Sequence, residues 1–296
     1  MKKSILICAI VLFGVGYLKA GTWTTFDYPG AVATYISGIS GSSITGTYQD
    51  NGGVHSFLYN GLNWTTLNYP GAVYTSANGI NGNSVVGTYQ YGLDDGQGFV
   101  YDGTSYTGLN YPGAEYTSIS GISGNSIVGN YSYFYGDTSY GFVYNGTSWT
   151  NIYYPEAINT SISGISGDSV VGYYYDSSLS GHSFLYNMAT QSWTFLNFSG
   201  AMQTCVSGIS GSNIVGTYYD SSNIEHGFLY NGTSWTTLNY PGAKETRANS
   251  ISDSSIAGYY MDSDGYSHGF IYTIPEPATL FLIGVGGLVL RRRITV

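Results

Sequence analysis

The sequence has 296 residues, of which 8% are charged, and its formal net charge at pH 7 is −9. Most of its Lys and Arg residues lie near the two chain ends, so residues 21–274 carry 16 acidic groups against Lys244 and Arg247, a net charge of about −14. A surface this acidic repels phosphate backbones, which argues against nucleic acid as a partner.

The first 20 residues have the order of a secretory signal peptide. Lys2 and Lys3 precede an apolar run over residues 5–15, and Ala20 supplies a small residue before Gly21. This order predicts export and a mature chain that begins near Gly21. The alternative is a cytosolic protein that starts with a buried helix, but the apolar run is short for one.

The two cysteines exclude a disulfide scaffold. Cys8 lies in the predicted signal peptide and is lost with it, which leaves Cys205 alone in the mature chain. Stability must therefore come from packing, and we expect Cys205 to fill a small position in the core.

A pattern of 41 to 44 residues recurs six times after the signal peptide. Its copies are marked by one aromatic residue each: Trp23, Trp64, Tyr106, Trp149, Trp193 and Trp235. Repeats of this length are typical of β-propellers and solenoids.

Each repeat is predicted to hold four short strands, which we call d, a, b and c in chain order. Examples are residues 64–69 for strand d, 117–123 for strand a, 126–131 for strand b and 226–230 for strand c. Apolar side chains occur on both faces of these strands, which predicts that both faces of each sheet are covered. Small residues dominate strand a and favour a crowded inner position.

Turn residues separate the strands. Gly-Asn or Gly-Ser pairs join a to b, Asn-Gly pairs join c to d, and Pro-Gly pairs suit a type II turn from d to a. Two repeats depart from Pro-Gly, with Pro155-Glu156 and Ser199-Gly200. The sequons at 145–147 and 231–233 lie in the c–d turns, and the preference of such turns for Asn-Gly explains them without glycosylation.

The repeat array opens with a lone strand d at Trp23 and closes with a lone strand c at residues 270–272. Joined together, these two strands complete a sixth blade and leave no sheet edge exposed. We therefore predict an all-β, six-bladed propeller of four-stranded blades over residues 21–274, flanked by a signal helix over 1–20 and a sorting tail over 275–296 with a short apolar helix. A linear β-solenoid is the alternative, and it would need capping repeats.

The repeats resemble the HAF repeats of bacterial extracellular proteins. The resemblance is carried by segments such as His-Gly-Phe-Leu-Tyr at 226–230 and Gly-Ile-Ser-Gly at 208–211. It implies an exported repeat protein without assigned chemistry.

Length variation between the repeats falls mainly in the loop from strand b to strand c. This loop shares one face of the propeller with the d–a turns, and we call that face the variable face. Because variable loops often carry function, we expect any ligand to bind there.

The b–c loops are acidic. Oxygen ligands at Asp262 and Asp264 are spaced as in many calcium loops, which makes calcium a candidate ligand, although a downstream bidentate Glu is lacking. Asp and Asn also initiate turns through local hydrogen bonds, and this reading needs no metal. The acidic positions in these loops are Asp50, Asp94, Asp95, Asp137, Asp176, Asp220, Asp262 and Asp264.

All four histidines occupy one repeat position at the start of strand c, where the other two repeats have Gln97 and Tyr140. A ring of six blades scatters this position, so the histidines are expected to make structural hydrogen bonds rather than one metal site. They are His55, His182, His226 and His268.

No catalytic site is recognisable. The body contains no nucleophile motif and no phosphate-binding glycine loop, and no cofactor is expected. Glu115 and Glu156 lie near d–a turns of adjacent blades and could imitate a glycosidase pair, so a polysaccharide-active enzyme on the acidic variable face stays as the alternative function.

The chain ends in Pro275-Glu276-Pro277, an uncharged apolar stretch over 278–290, and Arg291-Arg292-Arg293. The stretch is short for a free-standing span, but the arginines would hold their end on the cytoplasmic side. This order resembles the PEP-CTERM sorting tail of exopolysaccharide-producing Gram-negative bacteria. The resemblance implies that an exosortase in the inner membrane processes the tail and releases the protein. A permanent single-span anchor is the alternative.

These features together predict a non-enzymatic protein that is exported through the inner membrane to the cell surface or extracellular matrix. Its expected partners are exosortase, through the tail, and exopolysaccharide or other surface proteins, through the propeller. A third hypothesis is a purely architectural protein that binds no specific ligand.

Overall fold

The computed structural model describes residues 21–92, 96–134 and 138–275. Within them, Trp23–Thr273 forms one compact unit, and its regular structure consists of β-strands. None of the described residues forms a helix that is long and apolar enough to cross a membrane. The predicted signal peptide, apolar stretch, Glu276, Pro277 and Arg291 to Arg293 lie outside the described residues, as do Asp94, Asp95 and Asp137.

The strands form six antiparallel sheets of four, which are the blades of a propeller. Blade 1 contains β2 (Ala33–Ser40), β3 (Ser43–Asp50), β4 (Gly53–Tyr59) and β5 (Trp64–Leu67). Blade 2 contains β6 (Tyr74–Asn81), β7 (Ser84–Gln90), β8 (Gln97–Tyr101) and β9 (Tyr106–Gly108). Blade 3 contains β10 (Tyr116–Ser123), β11 (Ser126–Ser132), β12 (Tyr140–Tyr144) and β13 (Trp149–Ile152). Blade 4 contains β14 (Asn159–Ser166), β15 (Ser169–Tyr175), β16 (Gly181–Asn187) and β17 (Ser192–Phe195). Blade 5 contains β18 (Gln203–Ser210), β19 (Asn213–Tyr219), β20 (Glu225–Tyr230) and β21 (Trp235–Leu238). Blade 6 contains β22 (Glu245–Ser252), β23 (Ser255–Met261), β24 (Ser267–Thr273) and β1 (Thr22–Thr25).

Blade 6 closes the ring with strands from both ends of the repeat array. Strand β1 pairs with β24, and the amide of Phe26 donates to the carbonyl of Gly269 at 2.8 Å. The indole of Trp23 packs on Phe270 at 5.0 Å between ring centroids and on Tyr272 at 4.5 Å. The six-bladed propeller and its closure by the N-terminal strand are therefore confirmed.

Strand a is the crowded strand of each blade. A Cβ added to Gly79 would lie 3.0 Å from the Cα of Gly121 on the next blade, so a larger residue would push these blades apart. Each strand a also shifts register by one residue against strand b, as between Ile119 and Gly121. Glycine is required at Gly79 because its Cα faces the backbone of the next blade.

The hydrophobic core repeats from blade to blade. Every strand c buries one phenylalanine completely, and the marker aromatic of strand d packs against it. Truncation of such a side chain to Ala typically costs about 3–5 kcal/mol. The six residues are Phe57, Phe99, Phe142, Phe184, Phe228 and Phe270.

The d–a turns have the geometry predicted from Pro-Gly. The amide of Ala72 donates to the carbonyl of Tyr69 at 3.1 Å, and Gly71 has a φ of 78°. The repeat with Pro155-Glu156 makes the same turn, with Glu156 at a φ of 69°. A side chain in this left-handed region is strained by about 1–2 kcal/mol.

Two local expectations need correction. Cys205 does not fill a closed core position, because it is only partly buried on β18. The c–d connections are also longer than the tight hairpins expected from Asn-Gly. Tyr144 pairs with Trp149 across four loop residues, because the side-chain oxygen of Asn145 accepts the amides of Thr147 and Ser148 and stabilises the wider turn.

Candidate functional site

The variable face carries nearly all of the large apolar side chains that the described residues expose. The clearest exceptions are Leu62, in a c–d turn on the opposite face, and Phe195, at the end of an outer strand. An apolar surface confined to one side of a protein indicates an interaction surface. Its members are Val32, Val54, Val73, Tyr74, Tyr91, Tyr133, Phe134, Tyr153, Ile158, Leu179, Met202, Ile224 and Tyr266.

A cleft of about 510 Å³ opens on this face between blades 1 and 2. The b–c loop of blade 1 contributes Val54 and His55, and the following d–a turn contributes Asn68, Val73 and Tyr74. The lining of the cleft therefore contains both apolar and hydrogen-bonding groups. Such a mixed lining fits a ligand that has both apolar faces and hydroxyl groups.

Four of the b–c loops contain a paired aspartate and histidine, which we call the latch. In blade 4, the imidazole Nε2 of His182 lies 2.9 Å from a carboxylate oxygen of Asp176, whose other oxygen accepts the amides of Ser178 and Ser180. The hydroxyl of Ser178 and the imidazole of His182 hold the pKa of Asp176 below its usual range. The structural hydrogen bond predicted for the histidines is thus present. The four latches are Asp50–His55, Asp176–His182, Asp220–His226 and Asp262–His268.

Each latch ends an aromatic stack that crosses between blades. In blade 1 the ring of His55 lies against Tyr48, at 5.2 Å between centroids, and Tyr48 stacks on Tyr28 of the preceding d–a turn at 3.7 Å. Blade 4 repeats this arrangement, and burial raises the pKa of Tyr174 to about 12. The stack joins loop, blade and preceding turn into one rigid surface.

Blades 2 and 3 lack the latch and expose aromatic rings instead. Gln97 and Tyr140 occupy the histidine position, and the amide of Asn110 donates to the Gln97 side chain. Next to them, Tyr91 is 52% exposed, Tyr133 is 45% exposed and Phe134 is 67% exposed. We call this surface the aromatic arc.

The aspartates proposed for calcium take part in the turn of their own loop. One carboxylate oxygen of Asp262 accepts the amides of Asp264 and Tyr266, and the other faces His268. In the part of the chain that the structure describes, no three His, Cys, Asp or Glu side chains are arranged to hold a metal ion. The turn geometry accounts for Asp262 without a metal, and calcium binding stays a prediction.

The two glutamates of the enzymatic alternative lie on the variable face at consecutive d–a turns. Both Glu115 and Glu156 are exposed to solvent. The general acid of a glycosidase usually lies in a partly desolvated pocket, whereas both of these turns are open to solvent. The enzymatic alternative stays a prediction.

The sequence reasoning missed an ion pair between blades 5 and 6. The guanidinium of Arg247 donates two hydrogen bonds to Glu225, which is 6% exposed, and it lies 5.6 Å from the ring centroid of Tyr259. Burial raises the pKa of the nearby Cys205 thiol. An alignment of the six repeats could have revealed this ion pair, because Glu225 and Arg247 are charged at positions where the other repeats have uncharged residues.

The fold is similar to those of solved propellers. The SapL1 lectin in complex with alpha methyl fucoside matches with a TM-score of 0.53 at 17% identity, over 84% of this chain and 98% of that one. The propeller domain of the Trilobed protease from Pyrococcus furiosus, described as having an open velcro topology, matches with a TM-score of 0.52 at 8% identity, over 82% and 94%. TolB from Acinetobacter baumannii matches with a TM-score of 0.52 at 11% identity, over 79% and 64%. At these identities the matches support the fold alone.

The C-terminal segment matches a family model. Residues 273–293 fit the PEP-CTERM protein-sorting motif, which includes Pro275, Glu276, Pro277 and the three arginines. This motif is recognised by an exosortase and marks an exported protein that is sorted at its C-terminal end. No curated protein matches the chain.

Proposed function

We propose that this protein is a non-enzymatic component of the cell surface or extracellular matrix, and that its variable face binds exopolysaccharide. The observation that carries the proposal is the concentration of exposed large apolar and aromatic side chains on one face of an exported propeller. The resemblance of the repeats to HAF repeats agrees with such an extracellular role.

Sugar rings suit this face better than a lipid or a nucleic acid does. Aromatic rings such as Tyr133 and Phe134 offer flat apolar surfaces, and the cleft between blades 1 and 2 adds the polar groups of His55 and Asn68 on the same face. Pyranose rings combine apolar faces with hydroxyl groups, so they complement both kinds of group. SapL1, which shares the fold, is a lectin, so this scaffold is able to present sugar-binding sites.

The negative charge of the propeller limits the class of polysaccharide that can bind. About −14 charges on residues 21–274 repel uronate-rich or sulfated chains, so we propose a neutral polysaccharide. Repetition around the ring also supplies several related surfaces, and a long polymer can engage them together with increased avidity.

Binding is tested with the exported protein and immobilised exopolysaccharide from the producing cells, with neutral dextran and acidic alginate as defined probes. The double variant Tyr133→Ala/Phe134→Ala should lose most of its retention. Leu62→Ala is the matched control, because Leu62 is 85% exposed on the opposite face. Equal retention of both variants would contradict the proposal.

The enzymatic alternative is tested on the same polymers. Glu115→Gln/Glu156→Gln should leave binding intact, and neither wild type nor variant should release reducing ends. Polymer cleavage that disappears in the double variant would instead establish a polysaccharide-active enzyme.

Sorting is tested by the mass and location of the protein with and without the residues from Pro275 onward. We expect the wild-type chain outside the inner membrane with the mass of the tail removed, and the truncated chain missorted. A full-length chain held in the inner membrane would mean that the tail is a permanent anchor.

A further inference from the structure

The latch of blade 6 differs from the others because it contains a second carboxylate. The Nε2 atom of His268 lies 3.3 Å from Asp262, as in the other latches, while its Nδ1 atom lies 2.8 Å from Asp27. Asp27 follows the N-terminal strand β1, and its other carboxylate oxygen accepts the amide of Gly269 at 2.9 Å. This histidine therefore joins the two ends of the repeat array where the ring closes.

The hydrogen bonds require a particular protonation state. One oxygen of Asp27 accepts the amide of Gly269, one oxygen of Asp262 accepts the amides of Asp264 and Tyr266, and the other oxygen of each carboxylate faces a ring nitrogen of His268. An ionised carboxylate has no proton to donate, so both ring nitrogens of His268 must carry hydrogen to satisfy the two contacts. The geometry at the closure thus fits an imidazolium between two carboxylates.

Blade 5 provides the internal comparison. There, Nε2 of His226 faces Asp220 at 3.1 Å, but Nδ1 faces the side chain of Asn239 at 3.0 Å. An amide offers either an acceptor or a donor, so that site accommodates neutral histidine. Asp27 stands at the repeat position of Asn239, so the closure has a second carboxylate where the latch of blade 5 has an amide.

Other titratable groups near His268 are few. The ring of Tyr260 on β23 stacks against it at 5.2 Å, and Tyr240 lies behind Tyr260. Asp264 belongs to the same loop, and Tyr35 is the titratable residue of β2, which packs on β24 but places that ring against Tyr259. The two carboxylates are thus the charged groups in contact with the imidazole.

We propose that Asp27, His268 and Asp262 form a protonation-dependent clasp, which closes the propeller ring more firmly in acidic than in alkaline surroundings. Because the clasp joins β1 to β24, loss of the proton weakens closure of the ring and leaves the cores of blades 1 to 5 intact.

The pH window follows from the direction of each shift. Partial burial lowers the pKa of His268, but Asp27, followed by Asp262, outweighs burial and raises that pKa above 6.5. The clasp therefore contributes fully below pH 6.5, and its contribution is lost as the pH rises through the raised value. The amide of Tyr266 lowers the pKa of Asp262, so the carboxylate contribution is lost only when the pH falls below about 3.8.

The test compares the exported wild-type protein with Asp27→Asn, which copies the arrangement of blade 5. Histidine NMR should show both ring nitrogens of His268 protonated above pH 6.5 in the wild type, with the signal assigned by its loss in His268→Gln. In Asp27→Asn the titration should move toward lower pH. Each unit of that shift corresponds to about a tenfold change in the folding equilibrium constant across the window.

The reverse exchange provides the control. Asn239→Asp should raise the pKa of His226 and make the stability of blade 5 depend on pH in the same direction. Identical titration of His268 in wild type and Asp27→Asn would overturn the proposal, as would a thermal midpoint that responds equally to pH between 6 and 9 in both. These measurements do not involve polysaccharide, so their failure is distinct from failure of the proposed function.

Discussion

The latched blades and the aromatic arc share one scaffold and differ in what they present on the variable face. In blades 1, 4, 5 and 6 an aspartate and a histidine hold the b–c loop and cover the tyrosine of strand b. In blades 2 and 3 the latch is missing, and Tyr91, Tyr133 and Phe134 are exposed beside the same tyrosine position. Under the proposed function, we expect recognition to depend mainly on these exposed rings of blades 2 and 3.

The largest expected effect is the loss of stability when a core phenylalanine is truncated, and it should be equal in latched and unlatched blades. Phe142→Ala in blade 3, which carries part of the aromatic arc, and Phe228→Ala in blade 5, which has a latch, should each lower the free energy of unfolding by about 3–5 kcal/mol, because both rings are fully buried in equivalent cores. Chemical denaturation measures both. A large difference between them would mean that the blades differ in their cores as well as on their faces.

Substitutions in the aromatic arc should weaken polysaccharide binding more than substitutions in the latched loops. Replacing Tyr91 and Tyr133 by Ala should weaken retention on the polymer by about tenfold, since each aromatic contact contributes about 0.5–1.5 kcal/mol. The matched variant in latched loops, Leu179→Ala/Ile224→Ala, should change retention by less than about twofold. Affinity electrophoresis in polymer-containing gels compares them, and equal losses would assign binding to the whole face.

The boundary between the regions contains a strained turn. Glu156→Gly should stabilise the protein by about 1 kcal/mol, because glycine adopts a φ of 69° without strain. Thermal unfolding measures the gain. Glu115→Gly is the control, since Glu115 is not among the residues with positive φ. Destabilisation by Glu156→Gly would mean that the carboxylate makes a contact that outweighs the strain.

Acid should weaken the latch of blade 4 and spare the aromatic arc. The pKa of Asp176 is lowered in the folded protein, so its contribution is present above about pH 3.8 and is lost as the pH falls through the lowered value. Asp176→Asn should therefore reduce the thermal midpoint slightly at pH 6 and leave it unchanged at the lowest pH. A midpoint deficit that stays constant down to pH 2 would show that the charge of Asp176 is not responsible.

Much of the fold could be predicted because the repeat is visible in single residues. The marker aromatic, the strand-c phenylalanine and the Pro-Gly turns recur at nearly constant spacing, and the unpaired strands at Trp23 and residues 270–272 predicted closure of the ring. The histidine position was visible too. The aspartate partners of these histidines could not be predicted, because an Asp five or six residues earlier becomes a neighbour only when the b–c loop folds back.

The sequence by itself determined the repeat number, the strand order, the d–a turns and the C-terminal sorting motif, because each depends on residues close together in the chain. Only the tertiary structure decided which side chains meet across blades. The stack of Tyr28 on Tyr48, the pair of Glu225 with Arg247 and the approach of Asp27 to His268 all join different repeats or the two ends of the array. Such contacts depend on the curvature of the closed ring, which no local pattern of residues encodes.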